Sequence, residues 1–333
     1  MHAMKKSFVT PILKTIAKRI GVKMHIEPEY GYVAQIELSD GRKRYFRNTN
    51  FDINLLGASE IAKDKAYAAY FMKRMGYPVP TGKAFFTREW AKVIGKKNGP
   101  DAAFCYAKTL GFPVIVKPNS KSQGSGVCKV FDKKEFVRAV TELSKNERVF
   151  LVQKLEIGND YRIVVLDKEI ISAYQRLPLS VTGDGTSTIQ KLLKKKQTDF
   201  VASERDTVIP IDDFRITSTL GRLGLSQRSV LPRGKTVALL TNANLSTGGD
   251  AMDVTDSMHQ AWRKLAICLT RDMGLRYCGV DVMVHGTLAE PPKSYVILEV
   301  NAAPGLDNYA SSGKKQHKLV IKMYEKVLQA MMK

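Results

Sequence analysis

The sequence predicts an α+β chain, and three observations lead there. Residues 112–154 run strand, glycine loop, strand, amphipathic helix, strand, with Pro118, Gly124 and Gly126 marking the first loop. Residues 161–176 and 279–301 each read as two β-type runs joined by a polar turn, so they form hairpins. The other periodic segments have helical spacing, and helices set beside antiparallel hairpins make a mixed class. A chain of 333 residues has room for about two domains or one large one.

Composition bounds the function. The net charge is +21, a field that draws anions such as nucleic acid, an anionic membrane surface, nucleotides or acidic peptides. Cys105, Cys128, Cys268 and Cys278 lack paired metal spacing, and the last two sit in apolar runs as small core residues. That usage asks for no disulfide and favours a reducing, cytoplasmic setting. The histidines are scattered, which argues against zinc or a His-centred dyad. No apolar run approaches the ~20 residues of a membrane span.

Taken in order, Lys5 to Lys23 carries Phe8, Ile12, Leu13, Ile16 and Ile20 at helical spacing. It reads as an amphipathic helix packed on the body. Residues 31–48 form a hairpin around Asp40-Gly41. Ser59 caps a helix expected from Glu60 to Met75, and Gly76 ends it. A helix over 101–110 precedes the strand 112–117, which Pro118 stops. The loop Asn119 to Gly126 follows, then strand 127–131, helix 133–143 and strand 149–154. Lys194-Lys195-Lys196 lies on a basic helix and reads as a solvated face rather than a nucleic-acid contact, since no aromatic platform accompanies it. A helix over 262–273 feeds the 279–301 hairpin, and an amphipathic helix over 318–331 covers the sheet.

Three stretches carry chemistry. Glu299 and Asn301 stand two apart on a strand that Pro304-Gly305 breaks, so they share a face, with Leu298 and Val300 on the other. With Asp281 on the partner strand they offer hard oxygens suited to Mg²⁺; the alternative is a buried strand with a polar turn. The loop 119–126 is rich in small residues, and Lys117 sits at its base. It can cover a phosphate by its backbone N–H groups or serve as a plain turn. It matches neither the P-loop nor the dinucleotide-binding glycine pattern. The loop Thr241 to Asp250 is dense in small donors and suits an anionic intermediate, or is merely structural.

Set in one order, these stretches resemble the ATP-grasp ligases. The resemblance is nearest to the ATP-grasp part of cyanophycin synthetase and of the bifunctional glutathione-forming enzymes. It rests on Val181-Thr182-Gly183-Asp184-Gly185, on Asn242-Ala243-Asn244-Leu245-Ser246-Thr247-Gly248-Gly249 with Asp253-Val254-Thr255-Asp256, and on Glu299 to Leu306. It spans about residues 59–310. The implied fold has two α+β lobes that clamp ATP between antiparallel sheets. Residues 1–58 would be a short N-terminal α/β segment of helix and hairpin, 59–110 a helical lead-in, 111–155 the small lobe with its lid, and 156–333 the large lobe with metal site and C-terminal helix.

The implied activity is ATP-dependent joining of a carboxylate to an amine through an acylphosphate, with an amino acid or acidic peptide as substrate. Lys65 and Lys117 would bind phosphates, and Gln123, Gly124, Ser125 and Gly126 would close over them. Gln153, Lys154 and Glu156 would hold adenine, with Asp160 on the ribose; the family often has Glu where Gln153 stands. Asp281, Glu299 and Asn301 would hold Mg²⁺, with Mn²⁺ as the alternative ion. Arg176, supported by Arg162, would face a substrate carboxylate. Asn244, Ser246, Gly248 and Gly249 would cradle the acylphosphate. The cyanophycin enzymes tend to carry Arg where this chain has Thr241, so the substrate is not carried over. The chain ends before any second ligase domain, which leads to the expectation of a stand-alone ligase, and the family suggests a homo-oligomer. Two other readings stand beside this one: a glutathione-synthetase-like ligase on γ-glutamyl peptides, and a non-catalytic ATP-binding protein whose basic surface meets nucleic acid.

Overall fold

A computed structural model describes residues 7–121, 126–202, 205, 207–240, 243–310 and 313–332. The chain opens with helix α1 (Val9–Arg19) and the strands β1 (Lys23–Ile26), β2 (Val33–Glu37), β3 (Lys43–Arg47) and β4 (Asn50–Phe51), an antiparallel meander. The expected hairpin is its middle; β1 and β4 extend it on either side. Helices α2 (Leu56–Lys63) and α3 (Lys65–Arg74) follow. One helix was expected over 60–75. The chain breaks at Asp64, which leaves helical geometry and caps α3 by accepting from the N–H of Tyr67.

The small lobe is a four-stranded antiparallel sheet in the order β5-β8-β6-β7. Its first strand, β5 (Gly82–Phe86), falls within the stretch expected to be a helical lead-in. A glycine and an exposed lysine at its start hid the strand pattern. Helices α4 (Arg88–Val93) and α5 (Pro100–Leu110) follow, then β6 (Val114–Pro118), β7 (Cys128–Val130), α6 (Lys133–Ser144) and β8 (Val149–Lys154). Val114, Val116, Phe150 and Val152 face α5 and α6 and form the lobe's core. Because side chains alternate along a strand, Ile115, Lys117 and Gln153 emerge on the opposite face.

The large lobe is a five-stranded sheet in the order β13-β10-β9-β14-β15. The strands β9 (Asn159–Leu166) and β10 (Glu169–Leu177) form the first hairpin. An excursion then carries β11 (Ser180–Thr182), α7 (Ile189–Ala202), α8 (Phe214–Arg222) and β12 (Thr236–Ala238), which bury their own apolar cluster around Leu193, Ile216 and Leu239. The chain returns through β13 (Asp250–Asp253), α9 (Gln260–Asp272), β14 (Tyr277–Val284) and β15 (Tyr295–Asn301), and closes with α10 (Asp307–Ala310) and α11 (Lys314–Met332). One face of the sheet packs on α9 through Ile163, Val280, Val282 and Trp262. On the other face, Val164, Leu166 and Tyr277 pack against α11, α1 and the N-terminal meander. That second face is apolar at one end only; its other end carries the charged residues described next.

Candidate active site

Strand register builds the site. Arg162 on β9 pairs with Asp281 on β14, and Asp281 pairs with Glu299 on β15. Directly opposed residues in an antiparallel sheet share a face, so these three side chains stand in one row. Arg176 on β10 pairs with Asp160 on β9, one pleat along the same face. A register shift lies between Asp281 and Val282 on β14. It turns Leu298, expected on the apolar face, into the wall of a cavity.

The row is closely ion-paired. Arg162 donates to both oxygens of Asp281 at 2.7 and 2.8 Å. Arg176 donates to Asp281 at 2.9 Å and twice to Asp160 Oδ1, at 3.0 and 2.6 Å. Asp281 is 1% exposed and lies among three guanidinium contacts. Burial pushes the Asp160 carboxyl up to about 6, against the pull of Arg176. Burial works against the charge of Arg176 too, but Asp160 and Asp281 outweigh it and hold the guanidinium above its ordinary range.

Across the cleft, Asn119 and Asp64 place the lysines. Asn119 Nδ2 donates to Asp64 Oδ2 at 2.6 Å, and its Oδ1 accepts from the N–H of Ala66 at 3.0 Å. The first turn of α3 is thereby tied to the end of β6. Lys65 Nζ then lies 3.3 Å from Glu299 Oε2 and donates to the carbonyl of Lys121 at 2.6 Å. Lys117 is buried, which brings its ammonium down to about 8 although Glu299 draws it back up. Burial disfavours charge on Glu299, yet Lys65, Lys117 and Arg162 prevail and hold its carboxyl well below the usual range.

Two cavities meet here. One, of about 330 Å³, is lined by Ile115, Lys117, Gln153, Lys154, Glu156 and Asp160. The other, of about 630 Å³, reaches past Arg162, Ser246 and Asn301 to the N-terminal meander. Lys65, Lys121, Arg176, Asn244 and Glu299 line both. Most of the residues expected at the site therefore do converge.

Gly248 and Gly249 line neither cavity. A Cβ on Gly249 would stand 2.4 Å from the carbonyl oxygen of Leu177, and one on Gly248 would stand 2.9 Å from Leu179 Cδ1. Their smallness serves the close approach of this loop to β10 and the chain after it, in place of the expected cradle. Gly126 is likewise absent from both linings; it turns with φ 72° against Leu143 and Pro118. Gln123, Gly124, Ser125 and Thr241 lie outside the described residues.

Four residues escaped the sequence reading. Lys121 falls within the loop 119–126, and Asp64 within the helix expected over 60–75. Asn119 gave no signal beyond its place after Pro118. Arg205 holds the 244–250 loop by donating to the carbonyls of Leu245 and Gly249. Lys196, read as part of a solvated face, donates to Asp250 Oδ2 at 2.8 Å and supports the same loop.

Glu299 and Asn301 are hard oxygen donors that suit Mg²⁺, and Asn301 Nδ2 lies 3.3 Å from Glu299 Oε1, so the pair stands together at the strand end, while both oxygens of the third candidate, Asp281, accept from Arg162 and Arg176. Two carboxylates are too few for an all-protein cage, as Mg²⁺ sites completed by phosphate oxygens usually are. No cluster of three or more His, Cys, Asp and Glu suited to a metal occurs among the described residues. No helix among them is long and apolar enough to cross a membrane.

A model of the RimK-like ATP-grasp domain matches residues 240–326, and one of the D-ala D-ala ligase C-terminus matches 71–189. The glutathione biosynthesis bifunctional protein of Mannheimia succiniciproducens is 28% identical over 296 residues, 85% of this chain and 37% of the relative. Cyanophycin synthetase of Trichormus variabilis is 30% identical over 280 residues, 82% of this chain and 30% of the relative. The crystal structure of a bifunctional glutathione synthetase from Pasteurella multocida superposes with a TM-score of 0.60 at 23% identity, covering 97% of this chain and 44% of that one. The chain spans about a third of the length of the curated relatives it matches. The expected likeness to both groups is borne out, and so is the expected fold.

Proposed function

We propose that this chain, an ATP-grasp protein by fold, is an ATP-dependent carboxylate–amine ligase. The observation that carries the reading is the meeting of two cavities at Lys65, Lys121, Arg176, Asn244 and Glu299. Phosphoryl transfer asks a protein mainly for position and positive charge, and both are gathered where one cavity opens into the other.

In this reading ATP occupies the smaller cavity. The backbone around Gln153 to Glu156 receives the adenine, and Asp160, still paired with Arg176, faces the ribose. Lys65 and Lys117 hold the phosphates, and the 119–126 loop excludes water from the reacting groups. Asp281, Glu299 and Asn301 would hold Mg²⁺, which supplies Lewis-acid charge to the phosphates. The substrate carboxylate enters from the larger cavity and one of its oxygens attacks the γ-phosphorus as ADP leaves. Arg176 and Asn244 orient it at the junction. The amine then attacks the acyl carbon, phosphate departs, and an amide remains. Arg162 acts through Asp281 and Glu299, holding the row in place.

The substrates fall among amino acids and acidic peptides. γ-Glutamyl peptides belong in the test, given the relative named for glutathione biosynthesis. The reading is tested by ATP-dependent phosphate release over amino acids and Asp- or Glu-containing peptides, with mass spectrometry of products. A mass equal to donor plus amine minus water, formed only with ATP, is the expected result. No carboxylate-stimulated ADP formation, together with Lys117→Ala leaving ATP binding unchanged, would overturn it.

A further inference from the structure

Helix α8 is amphipathic, and its polar face is turned toward the small lobe. Ile216 and Leu220 are buried in the core of the excursion. Arg215, Ser218, Thr219 and Arg222 recur at the spacing of one helix face, and all of them line a cleft of about 330 Å³. Its opposite wall is the small lobe, through the edge strand β7 and the start of α6. No residue of this cleft lines either cavity of the candidate active site.

Contacts across the cleft hold its walls in place. Arg215 Nη1 donates to the carbonyl of Val127 at 3.0 Å, and Arg222 Nη1 donates to Glu135 Oε1 at 2.5 Å. Arg138 of α6 lies over the ring of Phe214 at 4.2 Å. A guanidinium stacked on a ring is held in one plane, and its N–H edge stays free for an acceptor in that plane.

The cleft holds more cations than its carboxylates satisfy. Glu135 is taken by Arg222, and Asp213 balances Arg215. Asp132 stands exposed at the rim, with Oδ1 capping α6. Lys129, Lys134 and Arg138 also line the cleft, and among the described residues none of them has a carboxylate partner. Burial, and then Arg222, draw the Lys129 ammonium below its ordinary range, as cations crowded without a counter-charge do. Lys134 and Arg138 are exposed at the mouth, while Lys129, Ser218 and Thr219 are half-buried in the walls. Among the described residues, neither the Ser218 nor the Thr219 hydroxyl has a hydrogen-bond partner. Donors on two facing walls suit the tetrahedral oxygens of a phosphate better than the flat pair of a carboxylate.

We propose that this cleft is a binding site for a small phosphate-bearing molecule, separate from the ligase centre, with the phosphate among Lys129, Arg138, Ser218 and Thr219. A ligand there touches α6 and α8 at once, and so holds the small lobe against the excursion of the large one. The site stands whether or not the ligase reading does. Inorganic phosphate, ribose 5-phosphate, ribose and citrate are titrated calorimetrically into the full chain, with the nucleotide site filled by ADP and Mg²⁺. Saturable binding of phosphate or of its ester is expected, and none of ribose. Arg138→Gln and Lys129→Gln should each weaken it about tenfold or more, as loss of a charged hydrogen-bond partner does, while ADP affinity holds. Lys117→Ala, with ADP raised to refill the nucleotide site, should leave it unchanged. Hydrogen exchange should slow in α6 and α8 when phosphate binds. Tighter binding of the ester than of phosphate assigns the cleft to a phosphate ester, and equal binding assigns it to the free ion; either upholds the site. No binding, citrate bound as tightly as phosphate, or binding that Lys117→Ala removes and Arg138→Gln spares, would overturn the proposal.

Discussion

Arg162 meets Asp281 through both carboxylate oxygens, across adjacent strands and 119 residues of sequence. Arg176 adds a third donor to the same carboxylate. Asp281→Asn keeps the shape but places an amide N–H₂ among guanidinium donors. Removing one partner of such a buried pair costs about 3–5 kcal/mol. Denaturant unfolding should show a loss of that order. Unchanged stability would mean the row stands without its shared acceptor.

Lys117 gives the site a pH signature. Its folded value of about 8 lies below its ordinary 10.5. Below pH 8 both folded and unfolded chains carry the charge, and burial opposes it in full. Between those two values the unfolded chain binds more protons, so this group makes stability rise with pH. Bound phosphates restore the ammonium, so ATP binding near pH 9 should take up a proton. Calorimetry in buffers of different ionisation enthalpy reads that uptake. Lys117→Arg, always charged, should abolish it; uptake that persists in the variant assigns the proton elsewhere.

Asp64 caps α3 and accepts from Asn119, so it acts on Lys65 at a distance. Asp64→Ala should cost ~1 kcal/mol as a lost cap. Asp64→Ser restores a cap acceptor but cannot reach Asn119 in the same way. If placement of Lys65 is what matters, the serine variant regains stability while KM for ATP stays raised. Recovery of both together would reduce Asp64 to a cap.

Gly249 tests which role its loop has. A Cβ there would stand 2.4 Å from the Leu177 carbonyl oxygen and 2.8 Å from that of Asn244. Gly249→Ala should lose about 1–3 kcal/mol through overpacking. Turnover should fall with the displacement of Asn244. A variant with full stability and lost turnover would return Gly249 to the cradle first expected of it.

Much was legible in the chain itself. The strand 149–154 lies where its apolar run placed it, and the 279–301 hairpin turns back antiparallel as expected. The ligand pattern Glu-x-Asn faced one way because the pleat has period two. The N-terminal meander was half read: Asp40-Gly41 announced its central turn, while β1 and β4 are short or mostly exposed and carry little pattern. The break at Asp64 leaves no trace in the pattern because Ala and Lys on both sides favour a continuous helix.

Local chemistry, acting over about ten residues, settled what each segment of this sequence would be: turn residues, apolar period and the order of the oxygen and lysine donors. Which residues would touch was decided only by tertiary structure. Register between strands far apart in sequence set Arg162 beside Asp281 and Asp281 beside Glu299. The Asp64–Asn119 contact set Lys65 before Glu299. The glycines at 248 and 249, alike in sequence to a phosphate cradle, turned inward because the backbone of Leu177 and the side chain of Leu179 left room for nothing larger. Sequence period carries no information on strand neighbours; burial of two sheet faces at once supplies it.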